Sequence, residues 1–256
     1  MTDSEPKDFY CQALRYDLVM GAYATEEMLG FYRRQIARFG EPALELACGS
    51  GRLLIPLTKA GIDVTGLDIS APMLHLAEIK AAEQGVKLSL VQGDVRNFEL
   101  GRKFNTILFP AQSMQHLLTL ADVEAGLAGV RRHLANEGRL VIEIFNPSVS
   151  LLSRAGAQRY LVGQYQQPAS KSKITVTEQV SYDAASQINH IEWFYLDETS
   201  GVEETLSFAM RQFYPQEVDA LLSYNGFVIE HKYGNYQAAA FSSSAGKQLL
   251  VCRLAG

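Results

Sequence analysis

Glycines and carboxylates recur at three points of the chain where an apolar run ends. In LELACGSGRLL, residues 44–54, Gly49 and Gly51 follow an apolar run and precede a helical pattern. Two later apolar runs end at Asp68 and at Asp94. Glycine lets a ligand approach backbone N–H groups because it has no Cβ, and an acid after the second strand suits ribose hydroxyls. The pattern predicts a nucleotide-like ligand, with Asp94 holding an amino group of its base.

Each of these features also has an alternative explanation. A CGSG turn can simply connect a strand to a helix. Asp68 or Asp94, taken alone, can be a helix N-cap or a turn residue, and Asp68 precedes ISAPML as an N-cap would. A dinucleotide fingerprint needs a third glycine, and counting from Gly49 that position is Leu54. This departure argues against a nicotinamide-dependent oxidoreductase.

The elements that must position these residues alternate between short apolar runs and helical patterns. Strands are predicted at 43–47, 62–68, 86–92, 104–109 and 139–145, with helices at about 10–19, 25–39, 52–60, 71–84 and 121–134. Three β-rich segments follow at 174–182, 188–196 and 202–213, then a helix at 215–225 and strands at 226–233 and 247–254. Such alternation is typical of a mostly parallel sheet covered by helices, here followed by an antiparallel meander.

Composition limits the classes of partner. The chain has 256 residues, 47% of them hydrophobic, and a formal net charge of −5, which argues against a nucleic-acid partner because tight phosphate binding needs a broad basic surface. Cys11, Cys48 and Cys252 are widely separated and lack metal-ligand spacing, so we predict neither a disulfide framework nor a metal site. With an acidic N-terminus and no apolar run of membrane-spanning length, we expect a cytoplasmic protein without a membrane partner.

Three motifs together carry a resemblance to a known family. LELACGSGRLLIPLTKAG resembles the first motif of class I S-adenosylmethionine-dependent methyltransferases, VTGLDISAPMLHLA the second, and VQGDVRNF the third. YDLVMG, at residues 16–21, is similar to the lid segment of small-molecule methyltransferases acting on amino sugars, glycine-like amines and antibiotic scaffolds. The resemblance runs from about Tyr16 to Phe145, and more loosely to the end of the chain.

The resemblance implies an α/β fold of the Rossmann-like, doubly wound type. We expect a mostly parallel seven-stranded sheet with an inserted antiparallel β meander over the active site. The predicted division is lid helices and a cofactor-binding core at 1–146, the meander as a substrate lid at 147–214, and the last helix and two strands at 215–256. The implied cofactor is S-adenosylmethionine, and S-adenosylhomocysteine is the product.

The first part of the implied cofactor site holds the methionine and ribose. Ala47, Gly49 and Gly51 would line this portion, and Asp68 would accept from the ribose hydroxyls. Glu45 would orient the first loop and, through water, the amino group of the cofactor. Ala47 takes a place often held by glycine, and the added methyl group is tolerable there if Ala47 has an ordinary negative φ, whereas a positive φ would argue against this interpretation of the loop.

The second part of the implied site holds the adenine. Ile69 and Met73 would sandwich the ring, while Asp94 and the Val95 amide would contact its edge. Met73 has the alternative of being an ordinary apolar residue of its helix.

Two residues are candidates for the chemistry of methyl transfer. His116 lies in FPAQSMQHL, where this family places the residues nearest the methyl group, and could act as a general base or orient the acceptor. Tyr16 could cover the sulfonium or the acceptor, or simply pack. The Asn/Asp-Pro-Pro-Tyr/Phe motif of enzymes that methylate nucleobase amines or glutamine is missing here.

These observations predict an S-adenosylmethionine-dependent methyltransferase that acts on a small-molecule N or O acceptor by in-line transfer. The alternatives are an RNA or protein methyltransferase and a non-catalytic S-adenosylmethionine-binding protein. The meander is rich in aromatic residues that could roof an acceptor or form a homodimer contact: Trp193, Phe194, Tyr195, Phe208, Phe213 and Tyr214.

Overall fold

A computed structural model describes residues 12–20, 25–153, 156 and 158–256. The first half contains α1 (Ala13–Met20), α2 (Glu26–Phe39), β1 (Ala43–Leu46), α3 (Leu54–Lys59), β2 (Val64–Asp68), α4 (Ala71–Glu83), β3 (Ser89–Gln92), β4 (Phe104–Phe109), a 3₁₀ helix (Ser113–His116) and α5 (Leu120–His133). The second half contains β5 (Leu134–Phe145), α6 (Val149–Leu152), β6 (Tyr160–Gln166), β7 (Lys173–Asp183), β8 (Ile188–Asp197), β9 (Glu203–Arg211), α7 (Pro215–Tyr224), β10 (Phe227–Tyr233) and β11 (Lys247–Leu254). Tyr10, Cys11 and Gly21, which the sequence predictions include, lie outside the described residues.

The main sheet has seven strands in the order β10-β11-β5-β4-β1-β2-β3. All neighbouring pairs are parallel except those of β11, which is antiparallel to both β10 and β5. The strand order reverses direction between β1 and β4, and ligands of open α/β sheets bind at the carboxyl ends of strands at such a point. The α/β fold with a mostly parallel seven-stranded sheet is confirmed.

Helices cover the main sheet on both faces and enclose two apolar clusters. One face packs against α2, α3 and α4 through side chains that include Phe31, Ile36, Leu54, Leu57 and Leu74. The other face packs against α5 and α7 through side chains that include Val123, Leu127, Val130, Val218 and Leu222. Burial on both faces explains why these strands appear in the sequence as continuous apolar runs.

The meander forms a separate antiparallel sheet of four strands, in the order β6-β7-β8-β9. The sequence predicted only three of them and missed β6, the edge strand. In β6 the pairing shifts register between Leu161 and Gly163, and its side chains alternate between half-buried and exposed. An irregular edge strand with polar residues gives a weak pattern, which explains the omission.

The inner face of the meander sheet packs against the N-terminal helix α1. Val19 of α1 is buried with Ile174, Val176, Trp193 and Tyr195 of the meander. The predicted domain boundaries stay a prediction, because the structure shows the sheets and not independent folding units. None of the helices in the described part of the chain is long and apolar enough to cross a membrane.

Candidate active site

The glycine turn, residues 47–51, connects β1 to the approach of α3 at the carboxyl edge of the main sheet. Gly49 has φ +54°, and a Cβ built on it would meet nothing within 4 Å, so this face of the turn is open. Gly51 has φ +76°, and its Cβ would come within 3.0 Å of Ile55 and 3.2 Å of Ala77. The first glycine therefore leaves room for a ligand, and the second lets the turn pack closely on the helices.

Asp68 ends β2 and holds the glycine turn in place. Its Oδ2 accepts from the Gly49 N–H at 2.7 Å, and its Oδ1 accepts from the Ser70 N–H at 2.8 Å. Burial raises the pKa of Asp68, and the backbone hydrogen bonds oppose that rise. The side chain of Ser70 accepts from the Met73 N–H, so Ser70 is the N-cap of α4 and the N-cap alternative for Asp68 is wrong.

Glu45 lies on β1 beneath the glycine turn. Its side chain is buried, and its Oε2 has no hydrogen-bond partner among the described residues. Burial raises the pKa of Glu45 to about 8; Asp68 adds to the rise and Arg52 opposes it. A buried carboxyl group with an open acceptor position is suited to a cationic partner.

Ala47 differs from its expected backbone geometry. The condition for tolerating alanine here was an ordinary negative φ, but the structure gives Ala47 a φ of +53°, in the left-handed region. That condition is not met, and the interpretation of the loop rests instead on the family matches reported below. Non-glycine residues at such a φ are uncommon and often lie at functional sites, where the surroundings hold the strained backbone. Here the strained residue begins the glycine turn.

The predicted adenine contacts lie at the carboxyl ends of β2 and β3. Ile69 is 44% exposed, whereas Met73 is only 1% exposed and packs within the protein. Asp94 accepts from the Arg96 guanidinium, with Nη2 at 2.6 Å, and from the Arg96 backbone N–H at 2.9 Å. These bonds lower the pKa of Asp94. Val95 is half-buried beside Asp94.

The acceptor-side candidates lie where the 3₁₀ helix, α1 and the meander meet. The His116 ring centroid is 6.3 Å from that of Phe208, and Phe208 is 5.6 Å from Trp193. Trp193 is in turn 6.3 Å from Tyr195, which completes an aromatic wall of Trp193, Tyr195 and Phe208. Burial lowers the pKa of His116 to about 4, although a backbone hydrogen bond with Ala209 opposes this.

The other predicted aromatic residues do not join this wall. Phe194 points away and lies beneath the guanidinium of Arg159, with 3.4 Å between Cζ and the ring centroid. Phe213 is buried in the core under the main sheet, and Tyr214 is the N-cap of α7. On β8, Trp193 and Tyr195 therefore lie on one face of the strand and Phe194 on the other, as alternation along a strand requires.

Tyr16 lies on α1, which hydrogen bonds and an ion pair connect to the glycine turn and to α4. The Asp17 carboxylate contacts the Ser50 hydroxyl of the glycine turn and pairs with Lys80 of α4 at 2.8 Å. Arg52 donates to the Met20 carbonyl at 3.0 Å. Burial raises the pKa of Tyr16; Arg52 is the nearby charge that opposes this most strongly.

Sequence reasoning missed three polar residues that the structure places around this site: Asp17, Arg52 and Glu143. Asp17 lies inside the lid motif and Arg52 directly after the glycine turn, so their positions gave a signal. Glu143 is a single carboxylate inside the apolar run RLVIEIF, which is also a signal. Its partners, however, are 31 to 111 residues away along the chain, and sequence patterns do not reveal such contacts.

Comparisons with known proteins give consistent matches. Residues 43–138 match a family model described as a methyltransferase domain. A demethylmenaquinone methyltransferase of Thermus thermophilus is 32% identical over 160 residues, which is 58% of this chain and 71% of that protein. The dTDP-3-amino-3,4,6-trideoxy-alpha-D-glucopyranose N,N-dimethyltransferase of Streptomyces venezuelae is 36% identical over 100 residues, 39% of this chain and 40% of that protein. The chain spans about half the length of the curated relatives it matches.

The fold also matches a solved structure over almost its whole length. The CcbJ methyltransferase from Streptomyces caelestis has a TM-score of 0.79 and 22% identity, covering 98% of this chain and 97% of that one. At this identity the likeness concerns the fold alone. The sequence matches confirm the resemblance carried by the three motifs, and the Thermus thermophilus relative, 32% identical and covered to 71% of its length, shows that the chain belongs to the family of S-adenosylmethionine-dependent methyltransferases.

Proposed function

We propose that this protein binds S-adenosylmethionine at the glycine turn and transfers its methyl group to a nitrogen or oxygen of a small molecule. The observation that carries the proposal is the buried Glu45 carboxyl group, with its open Oε2, beside the ligand-accessible face of Gly49. A cationic amino group and an adjacent ribose would complete this arrangement.

The residues at the carboxyl edge fit that cofactor. Glu45 would complement its amino group, and Asp68 keeps acceptor capacity for ribose hydroxyls because each carboxylate oxygen has more than one lone pair. Ile69 offers an exposed apolar surface to the adenine, with Met73 supporting it from within the protein. Asp94 and the Val95 amide would contact the adenine edge, and Ala47 and Gly51 shape the turn. When bound, S-adenosylmethionine supplies a methyl group already activated by its sulfonium.

The chain's own task is then to orient the acceptor and exclude water. The aromatic wall and α1 would enclose the acceptor, with Tyr16 on the α1 side and His116 at the opposite end of the wall. A histidine with a pKa of about 4 is neutral at pH 7. It can accept a hydrogen bond from an amine or hydroxyl, whereas its low basicity makes it a weak proton acceptor. We therefore assign His116 mainly an orienting role.

The first acceptor class to test is an amine on a sugar. Two Streptomyces relatives are named as N,N-dimethyltransferases of dTDP-linked amino sugars. The aromatic wall supports this choice, because a sugar ring presents an apolar face that can stack on aromatic side chains. Hydroxyl-bearing compounds form the second class.

A homodimer through the meander and a cytoplasmic location complete the proposal. Leu161 on the edge strand β6 is 66% exposed, and an edge strand with free backbone groups can pair with a second copy. Cys48 and Cys252 are buried, and small packed cysteines of this kind are compatible with a reducing compartment. Light scattering of the purified protein measures the mass: a monomer at all concentrations would contradict the dimer.

The function is tested by calorimetric titration with S-adenosylmethionine, followed by detection of S-adenosylhomocysteine with panels of amino sugars and of hydroxyl compounds. We expect binding, and product with at least one amino sugar. His116→Ala should lower turnover about 10-fold or more while changing cofactor affinity little, and the exposed His75→Ala serves as the control. Binding without any product would favour the non-catalytic alternative. Unchanged turnover in His116→Ala would remove His116 from the chemistry.

A further inference from the structure

Glu143 on β5 is a buried carboxylate with donors from several other segments. Its exposed fraction is 0%. The donors are the Tyr32 hydroxyl at 2.8 Å, the Ala111 N–H at 3.2 Å, the Gln112 amide at 2.6 Å, the Tyr236 hydroxyl at 2.7 Å and the Lys247 ammonium at 2.8 Å. These groups come from α2, the turn after β4, the loop before β11 and β11 itself. A buried charge is tolerated only with such partners, so Glu143 organises this edge of the sheet.

This network lies beside the cofactor side of the site. Tyr32, Tyr236 and Ala111 pack in the same apolar cluster as Cys48 of the glycine turn and Leu53. The Glu143 network therefore adjoins the glycine turn.

Two of the Glu143 donors belong to a strained turn, residues 110–112, which we call the post-β4 turn. Ala111 has φ +52° and Gln112 has φ +60°. Two successive non-glycine residues in the left-handed region are unfavourable unless their surroundings hold them there. Glu143 bonds to the backbone of the first and the side chain of the second.

The post-β4 turn leads directly into the 3₁₀ helix that carries His116. That helix is fixed at a second point by Gln115, whose Nε2 donates to the Arg211 carbonyl at 2.8 Å. Its Oε1 accepts from the Phe145 N–H at 2.9 Å. The bonds of Gln115 hold the 3₁₀ helix, and those of Glu143 hold the turn before it. Together they fix the position of His116 beside Phe208.

We propose that Glu143 is a positioning residue that fixes the post-β4 turn and thereby sets His116 against the acceptor side of the site. This inference rests on the proposed function of that site. Glu143 is completely buried and has five donors, so it acts through Ala111 and Gln112 rather than by touching an acceptor.

The experiment measures the position of His116 without any acceptor. NMR titration follows the His116 pKa in the ligand-free protein, and hydrogen exchange follows the peptide that spans residues 110–118. In Glu143→Gln we expect the His116 pKa to rise from about 4 by more than one unit, toward the ordinary histidine value, because a loosened turn exposes the ring. Exchange in 110–118 should become at least about 10-fold faster. Loss of a negative charge by itself would lower the His116 pKa, so a rise reports movement.

A second variant guards against simple unfolding. Gln112→Gly removes the amide that donates to Glu143, yet glycine accepts a φ of +60° without strain, so global stability should be retained. It should raise the His116 pKa and speed exchange in 110–118 in the same direction. The matched control is Glu230→Gln on β10, which removes the negative charge that pairs with Arg139 of β5, 2.6 Å from its Nε.

The inference is overturned if the His116 pKa and the 110–118 exchange stay unchanged in both variants, or if Glu230→Gln shifts them equally. Failure to bind S-adenosylmethionine in the wild type would contradict the proposed function, and the two ligand-free readouts would still decide the positioning role.

Discussion

At the scale of single residues, the proposed contact between Glu45 and the cofactor's amino group links the protonation of Glu45 to cofactor binding. With a pKa of about 8, this carboxyl group is mostly protonated at pH 7 in the ligand-free protein. A cationic amino group beside it favours the carboxylate and lowers its pKa. We expect S-adenosylmethionine binding at pH 7 to release up to one proton, measured by calorimetry in buffers of different ionisation enthalpy.

Glu45→Gln supplies the control for this prediction, since it should bind without releasing that proton and with weaker affinity.

Glu45→Gln also tests how the protonation of Glu45 changes the stability of the protein with pH. The pKa of Glu45 in the folded protein lies above its ordinary value of 4.5. Its contribution to the free energy of unfolding is therefore fully present below pH 4.5. It is lost as the pH rises to about 8, by at most about 1.4 kcal/mol per pH unit. If the binding enthalpy of the wild type were the same in all buffers, no proton would be released on binding, which would contradict the prediction of proton release.

Sequence predicted residues at strand ends better than it predicted their geometry. Asp68 lies beside Gly49 as expected, because the carboxyl ends of parallel strands meet at one edge. The φ of Ala47 was not predictable, since alanine itself disfavours the value the turn imposes. Glu143 could not be assigned because its donors lie in four segments distant in sequence.

At the scale of elements, α1 connects the cofactor side to the meander. Asp17 pairs with Lys80 and contacts Ser50, while on the meander side the Arg15 Nη2 donates to Glu204 at 3.1 Å. An eight-residue helix has little intrinsic stability, so these contacts and the burial of Val19 hold it in place. We infer that α1 is ordered by its neighbours on both sides.

Asp17→Asn should therefore loosen α1 from the glycine turn. Partly exposed ion pairs contribute about 0.5–1 kcal/mol, so we expect S-adenosylmethionine affinity to fall about two- to fivefold. Hydrogen exchange within α1 should become faster at the same time. The control is Lys173→Gln, which breaks an ion pair with Glu198 on the meander, 3.0 Å apart, and should change neither quantity. Equal effects in both variants would refute a specific role for the Asp17 contacts.

The order of elements was largely predictable, and the exceptions have a physical cause. All seven strands of the main sheet were found, because burial on both faces makes them apolar runs bounded by turns. The strand β6 was missed because only one of its faces is covered and Gly163 interrupts the pattern. How the meander sheet sits on the main sheet depends on side-chain contacts that no local pattern encodes.

At the scale of the whole molecule, buried amides join the meander to the main sheet. Gln115 bonds to the backbone of both Phe145 and Arg211, and the Gln248 amide donates to the Phe213 carbonyl at 3.0 Å. Gln115 and Gln248 are both fully buried. The proposed acceptor side lies between the two sheets, so we expect its shape to depend on these bridges.

Trp193, the chain's only tryptophan, lies in the meander, so its fluorescence reports that sheet while circular dichroism reports the whole chain. In the wild type we expect both signals to change at one urea concentration, as in a cooperative transition. Gln115→Ala leaves a buried N–H and a buried carbonyl without partners, which should cost about 2–4 kcal/mol. The fluorescence midpoint should then fall below the circular dichroism midpoint, because the meander loses an anchor that the main sheet can do without.

Gln166→Ala is the matched control, because that side chain is exposed and, within the described part of the chain, its one hydrogen bond is to the Lys171 carbonyl at 3.1 Å. Its cost should stay within about 0.5 kcal/mol, with coincident midpoints. If Gln115→Ala lowered both midpoints equally, the two sheets would still unfold as one unit, and Gln115 would stabilise the whole molecule rather than the junction. If it lowered neither midpoint, other contacts would hold the meander over the site, with the core side chain of Phe213 the next residue to change.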